Sequence, residues 1–483
     1  MSDIASSASE SGLAPVSRSE RIHALDIIRG FALIGIFLMN VEWFTRPITF
    51  LGTGVDASQT GIDYAASWFV YTFVQGKFWT LFSLLFGMGF AVMLTRAERA
   101  DRAFMTPYLR RIAGLLLFGS AHFVLIWTGD ILHDYAVTAF ALLLITSRSW
   151  KIWAGVFVSV AVAGVAMQLT GHESLMQAAG MTAFVLLVVA LLMFFLNRKN
   201  ASLSRYYKWG ASLYSVFFAL GLLGWVVMSA APQLMPKETA QDVQKRHEQF
   251  DERMAERAKD AAEETRIFTT GTYAESVVFR GEKYMEELPR SAGLSMLALP
   301  MFLIGFWFVR SGVMADWRRH LPMFRRLASW TLPLGLAMTL TSVLLHPSST
   351  PSPDRNLTSM ITGILFQWAM LPMCIGYFST LICLLGTSIG EKVLSPLRFA
   401  GQMALTNYLC ASLIGTWYFS GYGLGHYGQV GRAGQVLFVA VVFSLQLIFS
   451  YFWLAKFRYG PMEWLWRAIT YWQLPPMLRR AGD

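Results

Sequence analysis

Apolar runs of roughly 20 residues, enough to carry a helix across about 30 Å of hydrocarbon, recur from Leu25 to the C-terminal region with short polar breaks between them. Backbone groups in lipid must be satisfied within the segment, and no stretch shows the two-residue alternation of a barrel strand, so the runs predict helices. Spans are read at Leu25 to Trp43, Phe78 to Leu94, Ile112 to Trp127, His133 to Ile145, Trp150 to Leu169, Met181 to Leu196 and Tyr207 to Ala230. After a charged stretch follow Ala292 to Val309, Leu327 to Leu345, Leu357 to Leu385, Met403 to Phe419 and Val436 to Ala455. The expected fold is an all-α polytopic membrane protein with about 12 transmembrane helices. Its fourth span is the shortest. Asp63 to Val74, rich in aromatics, reads as an interfacial segment that leaves Lys77 near the outer interface, where it can snorkel.

Charge turns this pattern into a topology. The net charge of +10 raises nucleic acid as a partner, yet the cations sit in alternate loops, as the positive-inside rule requires. One set of loops holds Arg18, Arg21, Arg96, Arg99, Arg102, Arg110, Arg111, Arg148, Lys151, Arg198 and Lys199. It continues with Arg318, Arg319, Arg325, Arg326, Lys392, Arg398, Arg479 and Arg480. The opposite short loops hold Arg46, Arg355 and Arg432. Both termini are therefore expected on the cytoplasmic side, the lipid bilayer is the expected partner, and no nucleic acid is expected. Only 14% of residues are charged, against about 25% in a soluble domain. Cys374, Cys383 and Cys410 lie in apolar segments at no zinc or redox spacing and read as buried packing residues.

The chain divides into a disordered cytoplasmic tail (1–20), an N-terminal bundle (21–230), an extracytoplasmic charged helical segment (231–291), a C-terminal bundle (292–456) and a cytoplasmic tail with an amphipathic segment (457–483). In the charged segment, Asp242 with Arg246 and Lys259 with Glu263 stand at helical i,i+4 spacing. That segment reads either as a polar connector or as a lid over an acceptor site.

Ionisable groups inside a bundle are costly, so each is a functional candidate. Asp26 and Arg29, at the inner end of the first span, can pair with each other or grip a phosphate-bearing ligand; Arg29 can equally be an orientation anchor. Gly30 lets another backbone approach. Asn40 ends the same span and can donate to a developing oxyanion, cap the helix or join two helices. His122 lies roughly 16 Å along its span from Arg111, near mid-membrane. Gly119 and Gly129 on a similar face leave room beside the ring. A neutral imidazole there can serve as general base or acyl carrier, or can simply be satisfied by a neighbouring helix. Asp130, in the turn Thr128-Gly129-Asp130-Ile131-Leu132-His133-Asp134-Tyr135, can orient His122 or bind an acceptor. His133, Tyr135, Lys77 and Asn407 complete the candidate binding set, Asn407 reading also as an interhelical hydrogen bonder. The spacing of Asp130, His133 and Asp134 matches no metal site, and no metal is expected. No P-loop, Rossmann fingerprint or GxSxG elbow is present.

Five passages together resemble the YeiB-like bacterial membrane family, known as domain of unknown function 418: LDIIRGFALIGIFLMN (25–40), GKFWTLFSLLFGMGF (76–90), GSAHFVLIWTGDILHDYA (119–136), GQMALTNYL (401–409) and FRYGPMEWLWRAIT (457–470). They span both ends of the chain, and about 150 to 300 carries none of the likeness. The resemblance implies a multi-pass protein of the bacterial inner membrane. It also implies kinship with a transmembrane acyltransferase superfamily that includes the heparan-glucosaminide N-acetyltransferases, whose active-site Asn falls on Asn40. Those relatives carry their catalytic His in the next outer loop, but Val41 to Thr60 holds none here, so His122, in a GxxH pattern before GD, is the replacement. Gln402 stands where such proteins often carry Arg, and His133 is particular to this chain. The expected function is transfer of an acyl group from cytoplasmic acyl-CoA or acetyl-CoA to an acceptor at the outer face. The alternative is a transporter or flippase for a small amphiphile. A homodimer is an open expectation.

Overall fold

The computed structural model describes residues 22–56, 58–147, 155, 159, 173–198, 202–230, 239–288, 291–348 and 357–479. The predicted tail 1–20, the predicted span Trp150 to Leu169 save for two residues, and Arg148, Lys151, Lys199 and Arg355 lie outside them. Helices follow one another as α1 (His23–Asn40), α2 (Gly61–Phe73), α3 (Lys77–Arg99), α4 (Met105–Leu125), α5 (Leu132–Thr146), α6 (Glu173–Leu196), α7 (Ser204–Ala230), α8 (Ala240–Thr270) and α9 (Tyr273–Glu287). Then come α10 (Ser291–Arg310), α11 (Leu321–Leu345), α12 (Leu357–Leu385), α13 (Ser388–Leu394), α14 (Leu397–Gln402), α15 (Ala404–Phe419), α16 (Arg432–Lys456) and α17 (Pro461–Tyr471). Among the described residues there is no strand, only two isolated bridges.

The all-helical membrane fold is therefore present. Among the described residues, seven segments are long and apolar enough to cross a membrane: His23–Phe44, Gly61–Arg99, Met105–Leu125, Ser204–Val227, Leu321–Leu345, Thr358–Leu385 and Arg432–Lys456. The predicted fourth, sixth and eighth spans fall on shorter apolar helices, Leu132–Thr146, Val185–Leu196 and Met296–Arg310. The eleventh falls on the 16-residue α15. The large hydrophobics Leu437, Val441, Leu445, Ile448 and Phe452 are exposed along α16 at three- or four-residue steps, a stripe suited to lipid tails.

Glycine brings the helix backbones together where the site is built. A Cβ on Gly30 would stand 2.1 Å from the Leu397 carbonyl oxygen, and one on Gly401 would stand 1.8 Å from the Asp26 carbonyl oxygen. No larger residue fits at this crossing of α1 with α14, and the crossing sets the position of Asp26 and Arg29. One end of the bundle gathers the start of α1, the ends of α3 and α10 and the start of α4, and is rich in arginine; Arg310 pairs there with Glu98. This is the basic end.

At the opposite, far end, α8 and α9 form a hairpin. Each begins with a capping box, Thr239 with Asp242 and Thr272 with Glu275, so two of the four orphan amides at each N-terminus are satisfied locally. Glu263 makes its 2.9 Å ion pair with Arg266. The hairpin is docked. Arg280 is fully buried and donates from Nε to the Val124 carbonyl (2.9 Å) and from Nη2 to the Leu125 carbonyl (3.1 Å), while Tyr273 donates to Leu125 (2.9 Å). These carbonyls belong to the last turn of α4, which has no onward helical partners. Glu264 accepts from the Ile48 amide at 3.1 Å, and its burial raises the carboxyl pKa to about 7.

Candidate functional site: a buried histidine–aspartate pair beside an arginine-lined cavity

α4 stops at Leu125, where the Ile126 and Trp127 amides both bond the His122 carbonyl. His122 thus sits in the last turn of its helix, nearer the far end than the mid-membrane depth expected from a span reaching Trp127. The chain turns through 126–131, and this turn delivers Asp130 to the imidazole before the chain returns as α5. His122 Nδ1 is 2.8 Å from Asp130 Oδ1, with both side chains fully buried. Asp130 Oδ2 accepts from the His133 amide at 2.8 Å, satisfying a donor in the first turn of α5 and holding the carboxylate in place.

Where the Asp130 carboxylate accepts this hydrogen bond, Nδ1 carries the proton and Nε2 offers its lone pair. Nε2 is buried and has no hydrogen-bond partner among the described residues. The glycines do not leave the ligand space expected beside this ring. A Cβ on Gly119 would meet the His133 amide at 2.4 Å and Asp130 Oδ2 at 2.8 Å, and one on Gly129 would meet the Trp127 ring at 2.2 Å. Gly119 is needed because the protein's own turn fills that space.

A cavity of about 250 Å³ opens on the basic end of the bundle. Its wall follows α1 from Ile22 to Ile36 and α3 from Phe82 to Arg96, roughly 21 Å at 1.5 Å per residue. Four arginines line it: Arg29, Arg96, Arg111 and Arg467. Its two carboxylates are already engaged. Asp26 pairs with Arg29 at 2.9 Å, and Glu463 accepts from the Leu405 amide, the Thr406 amide and the Thr406 hydroxyl at 2.6, 3.1 and 2.6 Å. Glu463 thereby caps α15 from another helix, and burial pushes its carboxyl above the ordinary range. The Arg111 guanidinium lies 3.6 Å from the centroid of the Trp466 ring. Neither Arg111 nor Arg467 has a carboxylate partner among the described residues. Beyond the arginines, Leu85, Phe86, Phe90, Met93 and Leu115 make the walls apolar, and the inner end is closed by Ile131, Tyr135 and Tyr408.

Arg29, Asp26 and Tyr135 are therefore brought to one cavity, while His122 and Asp130 stand behind its inner wall. The Tyr408 ring, 5.1 Å from the His122 ring between centroids, belongs to that wall. Asn40 lines a separate void of about 10 Å³ with Asn407, Tyr408, Ser412 and Gln446, room for about one water.

Other candidates have structural partners. Tyr135 donates to the Trp79 carbonyl at 2.9 Å. Asn407 donates to the Ala400 carbonyl (3.2 Å) and to Ser450 (3.0 Å), so its amide joins helices rather than facing the large cavity. His133 packs edge-on against Tyr284 of α9 at 5.7 Å. Lys77 does not snorkel. The left-handed turn at Gly76 (φ +80°) folds it inward, where it is fully buried, 3.3 Å from the Tyr71 carbonyl and 3.9 Å over the Phe366 ring. The cysteines are free, with Cys374 buried but Cys383 and Cys410 only half-buried.

Sequence reasoning gave Tyr408 no site role and missed Glu463, Trp466 and Arg467. A carboxylate inside the apolar run Pro461-Met462-Glu463-Trp464-Leu465-Trp466 was the available signal. It also missed the far-end pair in which the buried Arg432 donates to Glu42 at 3.2 Å.

Residues 308–473 match a family model described as "Protein of unknown function (DUF418)". They include α15, α17 and Gly401. The uncharacterized protein YxaH of Bacillus subtilis is 30% identical over 480 residues, covering 98% of this chain and 99% of that protein. The uncharacterized protein YeiB of Escherichia coli is 27% identical over 465 residues, covering 96% and 98%. No solved structure matches.

Proposed function

This chain belongs to the DUF418 family, and from that premise we propose that it is a membrane-embedded acyltransferase that draws a cytoplasmic acyl thioester such as acyl-CoA or acetyl-CoA into the arginine-lined cavity. In this reading the basic end is cytoplasmic, the chain crosses the bacterial inner membrane twelve times with both termini inside, and the acceptor reaches the site from the far side. The observation that carries it is the cavity itself: four arginines at its mouth, an apolar shaft, and an inner wall that touches a buried His–Asp pair with a free Nε2.

Each part has a stated task. Arg111 and Arg467, free of carboxylates, bind the donor phosphates, and Arg29 joins them while held by Asp26. Apolar walls exclude water from the thioester. Asp130 fixes the imidazole tautomer so that His122 Nε2 removes the proton of the acceptor hydroxyl or amine as it attacks the thioester carbonyl. The new ester or amide bond forms, the carbon–sulfur bond breaks, and the proton passes from Nε2 to the leaving thiolate. Asn40 is placed to stabilise the oxyanion only if its void joins the cavity.

Purified protein mixed with acyl-CoA and candidate acceptors, followed by free-thiol release, tests this reading. The expected result is release by wild type, loss in His122→Ala, and in Arg467→Ala a KM raised about tenfold or more, the worth of one charge-assisted hydrogen bond. Saturable acyl-CoA binding with no thiol release under any acceptor would remove the enzyme reading and leave a transporter or flippase for an amphiphile.

A further inference from the structure

Tyr408 and Ile36 both stand between the two cavities, and of these two only Tyr408 also carries a ring against the His122 imidazole. It lines the large arginine-bearing cavity and also the small void beside Asn40, and its ring packs against the His122 imidazole. One aromatic ring therefore separates three things that the chemistry needs in one place: the route from the basic end, the free imidazole nitrogen and the Asn40 amide. The Tyr408 hydroxyl is buried and makes no hydrogen bond among the described residues. His122 Nε2, on the other side of the ring contact, is in the same state.

An unsatisfied buried hydroxyl is a cost of the position in which it is seen. Swinging the ring into the cavity gives the hydroxyl access to water or to a ligand, which offsets part of the ring packing it gives up. Tyr408 is thus held closed chiefly by packing, with the Ile131 backbone beside its hydroxyl but no hydrogen bond of ordinary geometry. Its neighbours on α15 are anchored: Thr406 by Glu463 and Asn407 by Ala400 and Ser450. The helix is fixed and the Tyr408 side chain is the part that can move.

We propose that Tyr408 is the gate between the cavity and His122, and that its rotation joins the cavity, the imidazole and the Asn40 void into one chamber. As geometry the gate stands alone; as a determinant of which thioesters reach the base it rests on the acyl-transfer reading. A donor whose reactive end can take the place of the ring, and offer the hydroxyl a hydrogen bond, opens it. Water alone does not hold it open, so the base is protected from idle hydrolysis of the donor.

Diethylpyrocarbonate modifies unprotonated imidazole nitrogens, and peptide mapping by mass spectrometry reads each histidine separately in the whole purified protein. Wild type is expected to modify His122 at least tenfold more slowly than the exposed His23. Tyr408→Ala removes the ring and should bring His122 to within a few-fold of His23. Tyr408→Phe keeps the ring and the packing but loses the reward for opening, so it should modify more slowly than wild type. Equal His122 rates in wild type and Tyr408→Ala would overturn the proposal. So would a Tyr408→Phe rate at or above wild type, and that variant, which conserves the packing, guards against a result caused by misfolding of the alanine protein. Thiol release from acyl-CoA in the same variants separates the two readings: accessibility in the expected order without any thiol release keeps the gate and removes the acyltransferase.

Discussion

Asp130→Asn is the sharpest test of the buried pair, because it replaces one carboxylate oxygen by an NH2 group and leaves the shape of the turn. The amide oxygen of Asn can still accept from the His133 amide, as Asp130 Oδ2 does at 2.8 Å. The amide nitrogen then faces His122 Nδ1, where Asp130 Oδ1 stood at 2.8 Å. Two donors cannot face each other, so the imidazole moves its proton to Nε2 and accepts at Nδ1. The fold loses the difference between a charge-assisted bond of about 1.5–3 kcal/mol and a neutral one of about 0.5–1.5 kcal/mol. That is about 1–2 kcal/mol, or a few degrees in Tm. The chemistry loses far more, since a histidine in the wrong tautomer costs about 10⁴ in turnover in hydrolases that use such a pair. Donor binding should hold, because the arginines lie up to roughly 21 Å away along the cavity. Thiol-release kinetics should show kcat falling by several orders of magnitude with KM nearly unchanged, and ¹⁵N spectra of labelled histidine should show the tautomer exchange. A variant that keeps its Tm and turns over within tenfold of wild type, while His122→Ala is inactive, would refute the claim that Asp130 orients the base.

Two further outcomes follow from the packing and from the far-end acid. Gly401→Ala places a methyl 1.8 Å from the Asp26 carbonyl oxygen, a backbone atom that cannot rotate away; it should destabilise the protein by about 1–3 kcal/mol and weaken donor binding through Asp26 and Arg29. Gly363→Ala in α12, where a Cβ meets nothing within 4 Å, should leave Tm unchanged or higher, and equal effects of the two would undo the close-crossing argument. Glu264, raised from 4.5 to about 7 by burial, holds its proton in the folded state over a range where the unfolded chain has lost it. Its stabilising share is therefore complete below about pH 4.5 and is lost as pH rises to about 7, amounting to on the order of 3 kcal/mol. In Glu264→Gln, thermal unfolding followed between these limits should lose that slope, and an unchanged slope would assign it to another group.

The helices were legible because lipid imposes a length and a composition on every crossing, and the arginine loops gave an expected direction to each. Among the described residues, seven segments meet the length requirement outright. The shorter ones, such as α5, are packed against neighbours, and their apolar length is set by those neighbours rather than by bilayer thickness. Lys77 misled because its depth depends on the φ of Gly76, a local backbone choice that hydropathy does not register. His122 and Asp130 were found because an ionisable group in an apolar run stands out, and eight residues of chain separate them. Tyr408 was not, because it carries no charge and meets His122 from 286 positions away along the chain.

The displacement of His122 from mid-span to the last turn of α4 changes what the proposed reaction demands of the protein. A base at mid-membrane needs a long path from each side. Here the proposed donor has roughly 21 Å of cavity to travel from the basic end, while α9 packs on the last turn of α4 at the other end. That helix is pinned to the carbonyls of Val124 and Leu125, one turn beyond the imidazole, and through Tyr284 it touches both Ser120 and the His133 ring. The docked hairpin thus packs against the turn that carries the His–Asp pair. In the acyl-transfer reading it covers the acceptor side as Tyr408 covers the donor side, with a single buried imidazole between the two.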